Sequence, residues 1–230
     1  MNKVLVSIVI PVYNEADVLE ELLRFLKETI LQRQDVEVIF SDGGSNDGTL
    51  AMLSVKALFK VISSPKGRAV QMNAGAKKAS GEFLYFLHAD TIPPVNFIDQ
   101  ILESKAEVGC FRLKFGNTKS PWLKFASWFT RFYGRLFRGG DQSLFVTKEL
   151  FNRVGGFDER YYVYEDVEFI LRVQEHSRFV ILKDHVVTSS RRFTENGILR
   201  LYWYFGIIHF KFWKGESPDS VTEYYHRRIK

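Results

Sequence analysis

The chain has 230 residues, 46% hydrophobic, 26% charged and 15% aromatic, with a net charge of +5. That length buries a large core, as one α/β domain or a domain with an appendage, and the composition excludes a disordered chain. The single cysteine, Cys110 in Val108-Gly109-Cys110-Phe111, rules out an internal disulfide framework and reads as a buried structural thiol in a reducing compartment.

Met1 to Ile10 lacks a charged leader, a long apolar core and a small-residue cleavage site, so a cytoplasmic location is expected. The charge is unevenly spread. Lys119, Lys124, Arg131, Arg135 and Arg138 fall in one acid-free segment, residues 191–230 hold eight basic against four acidic side chains, and the rest is net acidic. Two basic, aromatic-rich segments on an acidic body point to phosphates or an anionic membrane surface. No recognised nucleic-acid motif accompanies them, so nucleic acid is not expected as a partner.

Lys3 to Pro11 is an apolar, β-rich run ended by proline and predicts a first strand. Val18, Leu19, Leu22, Leu23, Phe25, Leu26 and Ile30 recur at helical spacing, placing a helix start near Glu15. Val36 to Phe40 predicts a second strand, ending in Ser41-Asp42-Gly43-Gly44-Ser45-Asn46-Asp47-Gly48-Thr49. A helix, a strand (Phe59 to Ser63) and another helix (Ala69 to Lys78) follow. This alternation predicts a right-handed parallel sheet of nucleotide-binding type. Neither G-x-G-x-x-G nor G-x-x-x-x-G-K-[ST] is present, which excludes the dinucleotide-binding and phosphate-loop classes. The first two strand ends instead offer carboxylates, Glu15 and Asp42, suited to a ribose or to base N–H groups. Asp42-Gly43-Gly44-Ser45 reads equally well as a plain turn with a helix cap.

Phe83 to Leu87 is a short continuous apolar run and predicts a central strand covered on both faces. It leads into His88-Ala89-Asp90-Thr91, at the strand end where open α/β sheets bind ligands. In extended backbone His88 and Asp90, two residues apart, point to one side. An imidazole and a carboxylate so placed can share a divalent ion, Mg²⁺ or Mn²⁺. The plainer reading is that Asp90 caps the turn before Pro93-Pro94.

A helix (Val95 to Ser104) and a strand (Glu107 to Phe115) come next. Residues 121–138 predict a helix with Trp122, Phe125, Phe129, Phe132 and Leu136 on one stripe and Lys124, Arg131, Arg135 and Arg138 on another. It is either a core helix with a solvated basic face or an interfacial, acceptor-binding helix. Gly139-Gly140-Asp141-Gln142 opens a strand (Ser143 to Thr147) and a helix (Lys148 to Val154). After Gly155-Gly156, Tyr164-Glu165-Asp166 starts a helix to about Glu175, although acids in a first turn also suit the helix dipole alone. Short strands at Val180 to Leu182 and Val186 to Ser189 lead to Ser190-Arg191-Arg192. That pair suits a diphosphate, or is an ordinary solvated pair. Ile198 to Trp213 predicts a helix whose clean apolar stretch is about half of the ~20 residues that span a bilayer. It packs on the sheet or lies in a membrane interface with Arg200, Lys211 and Lys214 at the headgroups.

Pro11-Val12-Tyr13-Asn14-Glu15, the 41–49 segment, Lys66-Gly67-Arg68 with Asn73 and Gly75, Ala89-Asp90, Gly155-Gly156-Phe157 and Glu165-Asp166 occur in an order that resembles glycosyltransferase family 2. The resemblance covers roughly residues 4–192 and is nearest to short members with a His-Ala-Asp-Thr tip and a Thr-Ser-x-Arg-Arg run. It implies an α/β GT-A fold: a mostly parallel nucleotide-binding sheet flanked by helices, with a nucleotide-sugar half at about 1–90, an acceptor half at 91–192, and an amphipathic helical extension at 193–230. It also implies a nucleotide-diphosphate sugar donor, an acceptor hydroxyl, a divalent metal (Mn or Mg) and inversion at the anomeric carbon. By position, Pro11, Tyr13, Glu15 and Asp42 would line the base and ribose pocket, Gly67 and Arg68 would close over it, and Arg191 and Arg192 would face the diphosphate. Asp90 is similar to the metal-binding end of the family's D-x-D motif, with His88 where the first Asp would stand, as second ligand or ribose contact. Asp166, beside Glu165 in the family's Glu-Asp pair, is similar to the catalytic base. Many GT-A enzymes add a late histidine ligand; here that region reads Val187-Thr188-Ser189-Ser190, and the nearby His185 is left unassigned. If the basic aromatic segments meet lipid, a peripheral location on the inner membrane face and a lipid-linked acceptor follow. The replacement at His88 also allows a binding module without turnover. A sugar nucleotidyltransferase would need a glycine-rich basic loop after the first strand, which Val12-Tyr13-Asn14-Glu15 lacks.

Overall fold

The computed structural model describes residues 3–54, 59–116, 118–132 and 142–229. Its first strand, β1 (Val6–Val12), is buried along its whole length. It pairs in parallel with β2 (Val36–Asp42), which pairs in parallel with β3 (Lys60–Ser63). On its other side β1 pairs in parallel with β4 (Phe83–Phe86). The chain therefore winds outward from β1, then crosses back to the other side, and the reversal opens a crevice at the carboxyl ends of β1 and β4. Pro11 is tolerated inside β1 because β4 pairs only as far as Val9, so the missing N–H lies beyond that ladder.

The sheet continues through β5 (Thr91–Ile92), β6 (Val108–Phe115), β7 (Leu144–Thr147) and β8 (Phe179–Thr188), giving the eight-stranded order β3-β2-β1-β4-β7-β6-β8-β5. Strand β7 runs antiparallel to both β4 and β6, β8 lies parallel to β6, and β5 is antiparallel to β8. The first half is thus purely parallel and the second mixed. One strand replaces the two short ones expected at 180–189. Its register against β6 shifts between Phe111 and Arg112, so Lys183 and Asp184 bulge out rather than break it.

Alternate residues of β1 feed opposite faces. Ile8 and Ile10 join Leu19, Leu22, Leu23 and Leu26 of α1 (Ala16–Ile30). Val9 joins Met72 and Ala76 of α3 (Arg68–Lys78), with Phe86, Phe151 and Phe169. Burial of each large side chain contributes about 1.5–3 kcal/mol. Gly75 lets α3 sit close on β1, since a Cβ there would collide with Val9. That approach brings Gly67 and Arg68, at the start of α3, over the crevice. A short helix, α2 (Thr49–Ser54), follows β2, and α4 (Phe97–Glu103) precedes β6. Helices α6 (Lys148–Arg153) and α7 (Glu165–Gln174) cover the same face as α3.

Three elements depart from expectation. Helix α5 runs only over Pro121–Phe129, and its aromatic stripe faces outward rather than into the core: Trp122 and Phe125 are each 58% exposed. Residues 133–138 of the predicted helix, including Arg135, Leu136 and Arg138, and the Gly139-Gly140-Asp141 segment lie outside the described residues. Arg191 and Arg192 do not extend a strand but begin a short helix, α8 (Arg191–Asn196). The expected helical extension divides in two: after α9 (Ile198–Trp213) a separate helix, α10 (Pro218–Arg228), starts where Ser217 accepts from the Ser220 N–H and Pro218 occupies the first turn. Leu201, Ile208 and Val221 of these last helices belong to the same core as β1. Among the described residues no helix is long and apolar enough to cross a membrane.

Candidate active site

The loops after β1 and β2 are stitched together by side chain–backbone bonds. Asn14, in the left-handed region at φ 53°, donates its N–H to Ser45 Oγ, and its own Oδ1 accepts from the Asn46 N–H, both at 2.9 Å. The Glu15 N–H donates to Thr49 Oγ1, and the Ala16 N–H to Asp47 Oδ2. Glu15 is thereby fixed at the entrance to α1, with its side chain in the crevice. Gln71 braces the same floor: its Nε2 donates to the carbonyls of Val12 (2.7 Å) and Ser41 (2.8 Å), joining the ends of β1 and β2.

Asp42 is the exception among the expected pocket residues. It is 1% exposed, and its carboxylate accepts from the Gly44 and Ser45 N–H groups and from the Ser45 hydroxyl. It holds the glycine turn and lines neither of the cavities described next. Local donors hold the carboxylate within its own turn, as the plain-turn reading expects.

A cavity of about 310 Å³ opens at the crevice. Pro11, Tyr13, Glu15, Gly67, Arg68, His88, Asp90, Arg191 and Arg192 all line it. His88 and Asp90 reach it from a turn rather than from extended backbone: β4 ends at Phe86, and the Thr91 N–H bonds the His88 carbonyl at 3.2 Å. Lys66 sits over the Tyr13 ring, 4.0 Å from its centroid, which forms a wall suited to a flat base. Burial first, then the charge of Asp90, raises the Glu15 carboxyl above its ordinary pKa, opposed by Arg191 and Arg68. Arg191 is 3.6 Å from Glu15. Sequence reasoning missed Lys66, Gln71, Tyr162, Glu195 and Tyr225. Tyr225 comes from α10, where its hydroxyl accepts from Arg192, and only the tertiary fold brings it there.

A second cavity, of about 640 Å³, adjoins the first; Arg68, Val163, Arg192 and Phe193 line both. Glu165 and Asp166 stand in this one, at the first turn of α7. They are positioned by Tyr164, in the left-handed region at φ 76°, whose hydroxyl meets His209 Nδ1 of α9. Asn73 of α3 ties the preceding loop by bonding both the N–H and the carbonyl of Phe157 at 2.9 Å. Asp166 Oδ1 accepts from the Val167 N–H. Glu165 is 2% exposed and lies 3.9 Å from Arg68. Burial, reinforced by the charge of Asp166 and opposed by Arg68 and Arg192, pushes its carboxyl up to about 8. At neutral pH it holds its proton while the unfolded chain would release it. Its stabilising contribution is then full below pH 4.5 and is lost as pH rises through about 8. Glu165→Gln should abolish that decline, so urea midpoints of the two proteins should diverge between pH 5 and about 8. Parallel midpoints would contradict the burial argument.

Asp90 and Asp166 thus occupy neighbouring cavities joined by two arginines, while Asp42 stands apart. His185 lines neither cavity; it pairs with Arg112 on β6, and burial followed by the charges of Arg112 and Arg131 lowers its pKa. Among the described residues no group of three His, Cys, Asp or Glu side chains could hold a metal alone. His88 and Asp90 offer this cavity one nitrogen and one carboxylate donor, so a divalent cation there would take its remaining ligands from phosphate and water.

A half-parallel, half-mixed sheet with its crevice at the switch point, continued by a second cavity, is the GT-A arrangement of glycosyltransferases. Solved structures bear this out at the level of fold. TarS of S. aureus superposes with a TM-score of 0.67 at 20% identity, covering 86% of this chain and 64% of that one. A mannosyltransferase from Pyrobaculum calidifontis, in complex with GDP-Man and Mn²⁺, superposes at 0.63 and 20% identity over 90% and 65%. The glycosyl transferase family 2 pattern matches residues 7–155, more than half of the sequence, and the chain belongs to that family. An uncharacterised glycosyltransferase of Mycobacterium tuberculosis is 30% identical over 73% of this chain and 68% of its own length. An undecaprenyl-phosphate 4-deoxy-4-formamido-L-arabinose transferase of Pseudomonas fluorescens is 36% identical over 45% of this chain. That match spans only about a third (33%) of the relative's length.

Proposed function

We propose that the chain transfers a sugar from a nucleoside-diphosphate donor to an acceptor hydroxyl, with inversion, as one of the short family members with a His-Ala-Asp tip. The observation that carries this is the pair of adjoining cavities sharing Arg68 and Arg192, one lined by Asp90 and the other by Asp166. The nucleoside lies against Tyr13 and Lys66, and the diphosphate faces Arg191 and Arg192. Those guanidinium groups stabilise the charge that develops on the leaving oxygen. Asp90 and His88 would hold a divalent cation, which supplies Lewis-acid stabilisation of the same charge. Asp166 takes the proton of the attacking hydroxyl, and one base suffices for direct displacement, whereas glycosidases need two carboxylates. Glu165 is a positioning residue: buried and protonated 3.9 Å from Arg68, it fills the start of α7 without adding a second negative charge beside Asp166.

Incubation with UDP-GlcNAc and GDP-Man, each with Mn²⁺, tests this. Release of nucleoside diphosphate from either, even slowly, is expected; failure to bind any nucleotide at millimolar concentration would overturn the reading.

The acceptor is lipid-linked, as the names of the undecaprenyl-phosphate relatives suggest, and the chain works at an anionic membrane face. Trp203 (69% exposed) and Trp213 (71%) of α9, with Trp122 and Phe125 of α5, stand beside the exposed cations Lys124 and Arg200. Aromatic and cationic side chains together suit a headgroup interface. Flotation with phosphatidylglycerol liposomes should carry the protein upward at low salt and release most of it at 1 M salt, where screening acts within ~3 Å. Complete recovery in the unbound fraction at low salt would refute membrane association.

A further inference from the structure

We infer that the larger cavity is the binding site for the hydrocarbon chain of an amphiphilic acceptor, whose head group it delivers to Asp166. This rests on the transferase reading above but names a site which that reading does not require.

Apolar residues of three elements wall the cavity: Leu113 and Phe115 of β6, Phe125 and Ala126 of α5, Phe205 and Gly206 of α9. Several polar groups along this wall are engaged within the protein. Thr130 Oγ1 donates to the Ser127 carbonyl and accepts from the Leu113 N–H. Gln142 Oε1 accepts from the Cys110 thiol at 3.2 Å, and the Tyr164 hydroxyl meets His209. What faces the interior is mainly hydrocarbon, with charge gathered at the end where Glu165, Asp166, Arg68 and Arg192 stand.

A saccharide needs hydrogen-bonding partners along its length, and burying its hydroxyls against this wall would leave them unpaired at a cost. A hydrocarbon chain needs none, and its transfer from water is favourable in proportion to the area covered. About 640 Å³ of apolar space is twice the volume of the donor cavity and exceeds what a head group alone would fill. Its charged end continues into the donor cavity, so a chain held here presents its head to the leaving sugar. Its other walls come from α5 and α9, whose exposed aromatics and cations form the surface proposed to meet lipid. Gly206 leaves room on the α9 side, since a Cβ there would meet no atom within 4 Å.

The test uses the full chain and 1-hexanol to 1-dodecanol as probes, followed by displacement of anilinonaphthalene sulfonate. UDP and GDP binding with Mn²⁺ is measured on the same samples. Affinity should rise roughly fourfold per methylene. Ala126→Trp, filling the cavity from α5, and Gly206→Phe, filling it from α9, should each weaken dodecanol binding at least tenfold while leaving nucleotide affinity unchanged. Two variants from opposite walls guard against one of them failing to fold. Alcohol binding that ignores chain length, or that both variants leave intact, would overturn the inference while nucleotide binding preserved the transferase reading. A chain-length series with no nucleotide bound by any variant or by the wild type would overturn the acceptor assignment instead.

Discussion

Asp166→Asn should lower sugar transfer by about 10²–10⁴-fold while leaving nucleoside-diphosphate and Mn²⁺ binding unchanged. The split between the two readouts follows from the placement of Asp166 in the larger cavity, away from Tyr13, Glu15 and Asp90. The amide is nearly the same size and can still accept from the Val167 N–H, so the start of α7 should be undisturbed. What is removed is the capacity to take a proton from the acceptor. Glu165 cannot substitute, because burial holds its own proton in place at neutral pH. Single-turnover transfer and calorimetric nucleotide binding check both halves. Transfer at the wild-type rate would sink the base assignment. It would also point to an acceptor already ionised, such as a phosphate monoester, which has no proton to lose.

Asp90→Ala should produce the opposite division, a loss of donor binding that depends on the cation. Disturbing even the supporting partners of a metal ligand costs ~10–100-fold in metal affinity, and Asp90 is placed as the ligand itself. The Mn²⁺ enhancement of UDP or GDP affinity should therefore fall by at least that factor, and transfer with it. A second effect concerns Glu15, whose carboxyl is raised first by burial and then by Asp90. Removing the Asp90 charge should let Glu15 ionise at lower pH and pair more fully with Arg191, now 3.6 Å away. Titration of donor binding against pH would show this as a downward shift of the acid limb. An unchanged Mn²⁺ dependence would place the cation elsewhere.

The parts of this site that depend on local rules were legible in the sequence. The continuous apolar run at 83–87 and the β-rich segment at 36–40 announced strands, and the polar residues at their ends announced a crevice. The parts that depend on which way a side chain turns, or on distant elements, were not. Asp42 sits at a strand end just as Glu15 does, yet Gly44 and Ser45 supply enough local donors to draw its carboxylate into the turn. Lys183-Asp184 looked like a break between strands because a bulge leaves no periodic signature of its own. Arg191-Arg192 looked like a strand end, but the chain turns into a helix there, with the Ser190 carbonyl accepting from the Thr194 N–H. The aromatic stripe of α5 has the spacing of a core face, and spacing alone says nothing about whether a partner lies opposite. Tyr225 carried no motif at all. It reaches the donor cavity because α10 packs on α9 through Val221.

The account as a whole stands on one spatial claim: the nucleotide and its cation share a cavity with Asp90 and the paired arginines, and the acceptor enters from the side of Asp166. Manganese anomalous scattering from crystals grown with a nucleoside diphosphate tests it most directly. The predicted result is one strong peak in ligating contact with Asp90 and the diphosphate, with the base stacked by Tyr13 and Lys66. A nucleotide bound outside that crevice, or a manganese peak bound to Glu165 and Asp166 instead, would contradict it.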